Sequence, residues 1–493
     1  MKERIKNIQL DKALYFFIAI TFIFFGIFIK MGFAVDSYAT FTFSKYEFID
    51  QFTTSGRFVV VLVGIILKSL NLKYETVYII SYISANICMI ISMYKLYTIT
   101  KDDINNKILK ILIPILIILN AFSIELFMFI ENGIMLFAVM MSVFAVGEIK
   151  KWLKSKKTKY LITTFIFMLL GNFSYQGVVG IFIAISVIYI LKFSKNIKEF
   201  IINNIIVAFS YGIPAIIDYL LIKIFFSSSR VSRVSGQFDL IQSLKIILDE
   251  TKTMITETYG ILPEYFLEIL IGLMCVLMLI QILVNKNTIK NKTIDILKII
   301  YIIAAVTLAS VAPQIMQDTK AIWLVARSTY SYASLFGILI LYWNMNFKTN
   351  KFLVKGIMIA GMILIVVQFY RFMLLGVDRY KVNKMDYQIT QKVISRINEY
   401  EEDTGNTVKN IAIYEDKSLS YSYYGIFSTG DINIRAYSKD WCIIYIIRYY
   451  SGRDLEKIEK DTEIEKKFKE KEWTDFENEQ LVFEGDTLHF CKY

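Results

Sequence analysis

Histidine is almost absent. His489, near the C-terminal end, is the only one in 493 residues. A single imidazole all but excludes histidine-based metal sites and histidine-centred triads, and leaves any general base to Asp or Glu. Cysteine is scarce as well. Four are present with no CxxC pair, which indicates neither a zinc site nor a redox motif. Cys442 and Cys491 both fall in the C-terminal segment, where a disulfide and two free thiols are equally compatible with the sequence. No tandem repeat or low-complexity tract is present. No small-residue cleavage site follows the first apolar run, so that run is read as a retained anchor and not as a cleaved signal.

Apolar side chains dominate what is there. They make up 55% of the chain, with a mean hydropathy of +0.49. Soluble domains do not carry many apolar runs of around 20 residues, so the sequence is that of a polytopic membrane protein. Aromatics reach 15%, mostly Phe and Tyr, which suits interfacial belts and sugar-facing surfaces alike. Lys and Arg (55) exceed Asp and Glu (44) for a net charge of +11. The lysines cluster between the apolar runs. They are read as topology signals and contacts to anionic lipid, with no nucleic-acid partner.

Charge parity orders the spans. Lys2, Arg4, Lys6 and Lys12 place the N-terminus inside, and six lysines within residues 150–159 mark the same face. Four crossings, 13–34, 75–97, 108–124 and 128–147, return the chain there. Residues 58–70 would cover roughly 20 Å as a helix, short of the ~30 Å hydrocarbon core, which leaves a short crossing or an interfacial helix; a fifth crossing would put the lysine cluster outside, so parity assigns them to the interface. Two short limbs, 160–170 and 178–191, flank a Gly-bracketed polar break at 171–177. Further spans are expected at 200–226, 265–284, 294–312, 328–346 and 351–375. The expected architecture is an all-α membrane domain over 1–376, with about 11 transmembrane helices plus an interfacial helix. Outer loops fall at 34–74, 227–264 and 313–327.

Composition changes sharply over 377–493. Met385, Ile389, Val393 and Ile397 recur at four-residue spacing in a charged helix over 385–402. Strand-like patterns follow at 408–414 and 481–489, with a mixed apolar run at 441–449. A small extracytoplasmic α/β domain is expected.

Several polar side chains stand at the ends of apolar runs. Asp36 sits where the first span leaves the bilayer, placed either to act as a general base or to cap the next segment. Glu47 and Asp50 are weaker candidates on the same loop. Arg57 and Arg327 are candidate phosphate binders, since guanidinium offers a planar fork and stays charged. Arg230 and Arg233 resemble them but lie in a Ser-rich loop. Glu125 and Glu131 flank the turn between the third and fourth spans, where acids at membrane depth are costly. Tyr175 and Gln176 occupy the central break and are read either as sugar contacts or as polar glue.

Val35-Asp36-Ser37, Ser55-Gly56-Arg57-Phe58, Ser174-Tyr175-Gln176 and Ala326-Arg327-Ser328-Thr329-Tyr330 carry a resemblance. In layout, over roughly residues 10–380, the chain resembles the GT-C-fold glycosyltransferases, and within them the bacterial serotype-converting O-antigen glucosyltransferase family. That family often has paired acids after the first helix and Pro before the late arginine. Here Ser37 and Ala326 stand at those places. The resemblance implies a metal-free, cofactor-free hexosyltransferase in a bacterial plasma membrane, its N-terminus cytoplasmic. Its donor is a polyprenyl-phosphate sugar, usually glucose, and its acceptor a hydroxyl of a cell-surface glycan. Transfer inverts the anomeric carbon, with Asp36 as base and Arg327, with Arg57, holding the phosphate. The alternative is a flippase or transporter for lipid-linked glycans, which would be expected to show inverted repeats.

Overall fold

A computed structural model describes residues 12–30, 33–225, 240–285, 288–315, 319, 322–347, 350–415, 432–473 and 476–492. The chain divides into two units. The first comprises Met1–Gly26, Glu47–Phe127 and Glu131–Met373. The second comprises Ile27–Tyr46, Met128–Ile130 and Leu374–Tyr493.

The first unit is helical. Among the described residues, eight helices are long and apolar enough to cross a bilayer: Lys12–Lys30, Tyr74–Thr100, Asn132–Ser155, Gln176–Phe193, Ile197–Ile224, Phe266–Val284, Ile289–Ile315 and Lys351–Thr404. They identify a membrane protein. In chain order the early helices are α1 (Lys12–Phe25), α2 (Val35–Thr42), α3 (Lys45–Thr53), α4 (Phe58–Ser69) and α5 (Tyr74–Thr100). The helix α4 has 12 residues and ends one residue before the expected 58–70 segment does. Next come α6 (Lys107–Ile118), α7 (Ser123–Phe127), α8 (Asn132–Ser155), α9 (Thr158–Ser174), α10 (Ile181–Phe193) and α11 (Ile197–Phe225). The chain continues with α12 (Leu240–Glu257), α13 (Phe266–Val284), α14 (Ile289–Ile315), α15 (Leu335–Asn346) and α16 (Lys351–Thr404); α2 and the part of α16 from Leu374 onward belong to the second unit.

Two of the expected crossings form shorter helices, and one short limb forms a longer one. The segment 108–124 stops at Ile118. There the Asn120 amide donates to Ile117 O (3.0 Å) and Tyr330 O (3.2 Å), and its oxygen accepts from Phe122 N (2.9 Å). This asparagine replaces the next helical turn with a side-chain-bonded one. The segment 328–346 is helical only from Leu335. Ahead of it, Ser328 and Thr329 each donate a hydroxyl to Val325 O at 3.0 Å, which holds a turn. The limb after the lysine cluster, α9, has 17 residues. At ~1.5 Å per residue these helices reach about 18, 18 and 26 Å.

At one end of this unit Asp103, just past α5, accepts from Lys150 Nζ of α8 at 2.7 Å and from Lys192 Nζ of α10. One carboxylate thereby ties three helices and neutralises lysines of the basic loops.

The second unit contains a four-stranded sheet. Strands β1 (Asn410–Glu415), β2 (Glu456–Lys457), β3 (Leu481–Glu484) and β4 (Thr487–Lys492) lie in the order β2-β1-β4-β3. Strand β1 runs parallel to β2 and β4, and β3 with β4 forms an antiparallel hairpin. Gly485 in its turn has φ +60°, which a side chain would strain. Alternation gives the sheet two buried faces. Ile411, Ile413, Leu488 and Phe490 pack with Ile389, Val393 and Ile397 of α16, and with Ile443, Ile446 and Ile447 of α17 (Asp440–Ser451). Ala412, Tyr414 and Cys491 pack with Ile464 and Phe468 of α18 (Thr462–Lys469) and with Trp473. Cys442 lies in the first cluster and Cys491 in the second, and neither is in a disulfide. The sheet separates them, so the question of a disulfide closes in favour of two thiols.

Candidate functional site

The site in the first unit grows from a break. Tyr175 is extended (φ −162°, ψ 109°), ends α9, and leads into a single 3-10 turn over Gln176–Val178. The break exposes the groups of a short polar stretch inside an apolar helix pair. A Cβ on Gly177 would lie 3.0 Å from Ser328 Cα and 3.1 Å from Arg327 O. Only a glycine lets this turn lie directly on the 327–328 backbone.

Two arginine–glutamate pairs frame that turn. Glu125 of α7 is 1% exposed and Arg327 is 9% exposed. The Glu125 carboxylate accepts from Arg327 N (2.6 Å) and from its Nη1 (2.5 Å), which fixes both the backbone and the guanidinium of the late turn. Arg57, at the N-cap position of α4, donates Nη1 to Glu131 Oε1 at 3.0 Å. Its guanidinium lies 4.9 Å from the Tyr175 ring centroid, a cation–π contact. Glu131 occupies the N-cap position of α8, yet makes no side-chain cap bond there. Its carboxylate serves Arg57 instead. Tyr175 lies within electrostatic reach of Arg57, Arg327, Glu125 and Glu131.

On the other side of the turn, Gln176 Nε2 donates to Asp218 Oδ2 (2.7 Å) and to Ser55 O (3.2 Å). Asp218, on α11, is 4% exposed. Gly56 has φ +72°, and a Cβ there would lie 2.5 Å from Asp218 Oδ2 and 2.6 Å from Oδ1. The positive φ favours glycine here, and a side chain would displace the Asp218 carboxylate.

The structure thus brings together Arg57, Glu125, Glu131, Tyr175, Gln176 and Arg327. Sequence reasoning omits Asp218 from this group. The available signal is a carboxylate within an apolar helix, Ile216-Ile217-Asp218-Tyr219-Leu220, which is a functional flag at membrane depth. Arg230 and Arg233 lie outside the described residues.

Asp36 belongs to the second unit, in the first turn of α2, and is partly buried. Ala34 holds the N-cap position without a side-chain bond, so Asp36 is not the cap. A carboxylate in the first turn is favoured by the helix dipole. The helix packs on α17: Cys442 Sγ donates to Val35 O at 3.4 Å, and Tyr38 and Phe41 meet the Tyr449 ring at centroid distances of 5.4 and 5.6 Å. Among the described residues, no three His, Cys, Asp or Glu side chains converge on a point that would hold a metal ion.

These groups offer fixed guanidinium donors and carboxylate acceptors within a membrane scaffold. The chain matches no family model, no curated protein and no solved structure.

Proposed function

We propose that the protein is a polyprenyl-phosphate-dependent glycosyltransferase of the GT-C type, acting on the outer face of a bacterial plasma membrane. The observation that carries this reading is the pair of buried arginine–glutamate contacts around Tyr175 and Gln176. Guanidinium presents a planar fork to phosphate oxygens, and two such groups are held by carboxylates beside one polar break. The eight apolar helices supply access for a lipid-borne substrate. In this reading about 11 segments cross the membrane and α4 lies in its interface, with the N-terminus inside and the sheet unit outside.

The reaction follows from the donor's chemistry. An acceptor hydroxyl loses its proton to Asp36 and its oxygen attacks the anomeric carbon opposite the phosphate. The bond from that carbon to the phosphate oxygen breaks, and the electron pair leaves with polyprenyl phosphate. Arg57 and Arg327 stabilise the charge that develops on the leaving group. The product is a glycoside of inverted configuration. The role of Asp36 rests on its place after the first span and on the family resemblance.

Incubation of the purified protein with labelled polyprenyl-phosphate glucose and isolated cell-envelope glycan is expected to move label into the glycan. Asp36→Asn is expected to abolish that transfer while the protein still reaches the membrane. Label moved across the bilayer of a proteoliposome without transfer would establish a flippase instead.

A further inference from the structure

Three buried polar atoms of this site have no hydrogen-bond partner among the described residues: Asp218 Oδ1, Glu131 Oε2 and Arg57 Nε. They are neighbours through the chain. Arg57 holds Glu131 by its other nitrogen, and Gly56, the residue before it, lies against both Asp218 oxygens. Asp218 and Glu131 are more than nine-tenths buried. Leaving such atoms unmatched is costly, most of all for charged groups.

Their chemistry identifies what matches them. Two are carboxylate acceptors and one is a donor, spread around a glutamine and a tyrosine ring. Arg57 already answers the charge of Glu131, whereas Asp218 has an amide as its partner. A neutral group with several hydroxyls satisfies carboxylate oxygens without bringing another charge into the membrane. The Tyr175 ring adds an apolar face to the same turn.

We propose that Asp218, with Gln176 and Glu131, is the hydroxyl-binding subsite for a sugar ring, an inference that rests on the glycosyl-donor reading of the site. Arg57 then divides the ligand: phosphate meets its guanidinium, and the sugar lies toward Asp218. Asp218 is a specificity-determining residue in this arrangement. It recognises the position and configuration of sugar hydroxyls.

The full-length protein in lipid nanodiscs tests this with two probes. The first is a set of methyl hexosides epimeric at single carbons, followed by saturation-transfer NMR. Wild type is expected to discriminate among epimers, and Asp218→Asn, which preserves shape, to lose on the order of ten- to hundredfold in affinity and its preference. The second probe is undecaprenyl phosphate without a sugar, whose binding Asp218→Asn is expected to leave unchanged and Arg57→Ala to weaken. Wild type that binds the bare lipid phosphate but no hexoside overturns the subsite and leaves the donor reading intact. Hexoside binding without lipid-phosphate binding overturns the donor reading instead, and a preference unaltered in Asp218→Asn overturns the role of Asp218. A diazirine-bearing hexoside covers the case of a variant that does not fold. In wild type it is expected to label peptides containing Asp218 or Gln176, and labelling elsewhere counts against the proposal.

Discussion

At the scale of single residues, the two arginine–glutamate pairs differ in depth. The Glu125 and Arg327 side chains are 1% and 11% exposed, against 7% and 19% for Glu131 and Arg57. Removing one member of a buried pair strands the other charge at a cost of about 3–5 kcal/mol. Glu125→Gln should therefore lower the thermal midpoint clearly, and Glu131→Gln by less, because the Arg57 guanidinium keeps the Tyr175 ring. Tryptophan-fluorescence melts in nanodiscs would rank them, and the reverse order would contradict this account. Six of the seven clustered side chains are legible in the sequence, because each stands where an apolar run ends or breaks. Asp218 is not so easily read. Its burial depends on Gln176, 42 residues away, and on the bare backbone of Gly56.

Element by element, sequence periodicity reaches most of the long helices and the stretches that hold β1, β3 and β4; it misses α12, which lies in an expected loop, and the short β2, and reads the β3–β4 hairpin as one stretch. It fails where side chains capture the backbone. Asn120 ends α6 early, and the hydroxyls of Ser328 and Thr329 delay α15. Such captures depend on partners far away in sequence, as with Asn120 and Tyr330 O. The apolar run at 441–449 becomes a helix because its isoleucines at 443, 446 and 447 share one face over the sheet. Beside that sheet lies a small titrating network. The Tyr414 hydroxyl accepts from Asp461 N (2.7 Å) and shares a hydrogen bond with His489 Nδ1 (2.8 Å). Burial holds His489 below its ordinary value of about 6.5. Backbone N–H groups of Ile464 and Glu463 hold the Asp461 carboxyl below its ordinary range. Both folded groups bind fewer protons than their unfolded counterparts, so stability is complete above the unfolded values and declines as pH falls. Melting of the sheet unit should shift downward first below about pH 6.5 and again below about pH 4. His489→Gln should flatten the first step, and a variant that melts with an unchanged pH profile would exclude the histidine from it.

For the molecule as a whole, composition and lysine placement already identify a membrane protein. The proposed orientation makes a further statement. A phosphatase reporter fused after the sheet should be active only outside the cytoplasm, and one inserted among residues 150–159 should be silent; the opposite pattern would invert the topology. The grouping of residues 27–46 with the C-terminal segment is invisible to linear reading, since it joins parts of the chain more than three hundred residues apart. The solitary imidazole of His489 is a ready-made spectroscopic probe. A membrane protein of 493 residues with one histidine has a single pair of ring-carbon proton resonances of that type. Those signals come from the strand that pairs with both β1 and β3. Magnetic resonance with selectively labelled histidine can thus follow the integrity of the sheet in the intact protein, with no engineered probe.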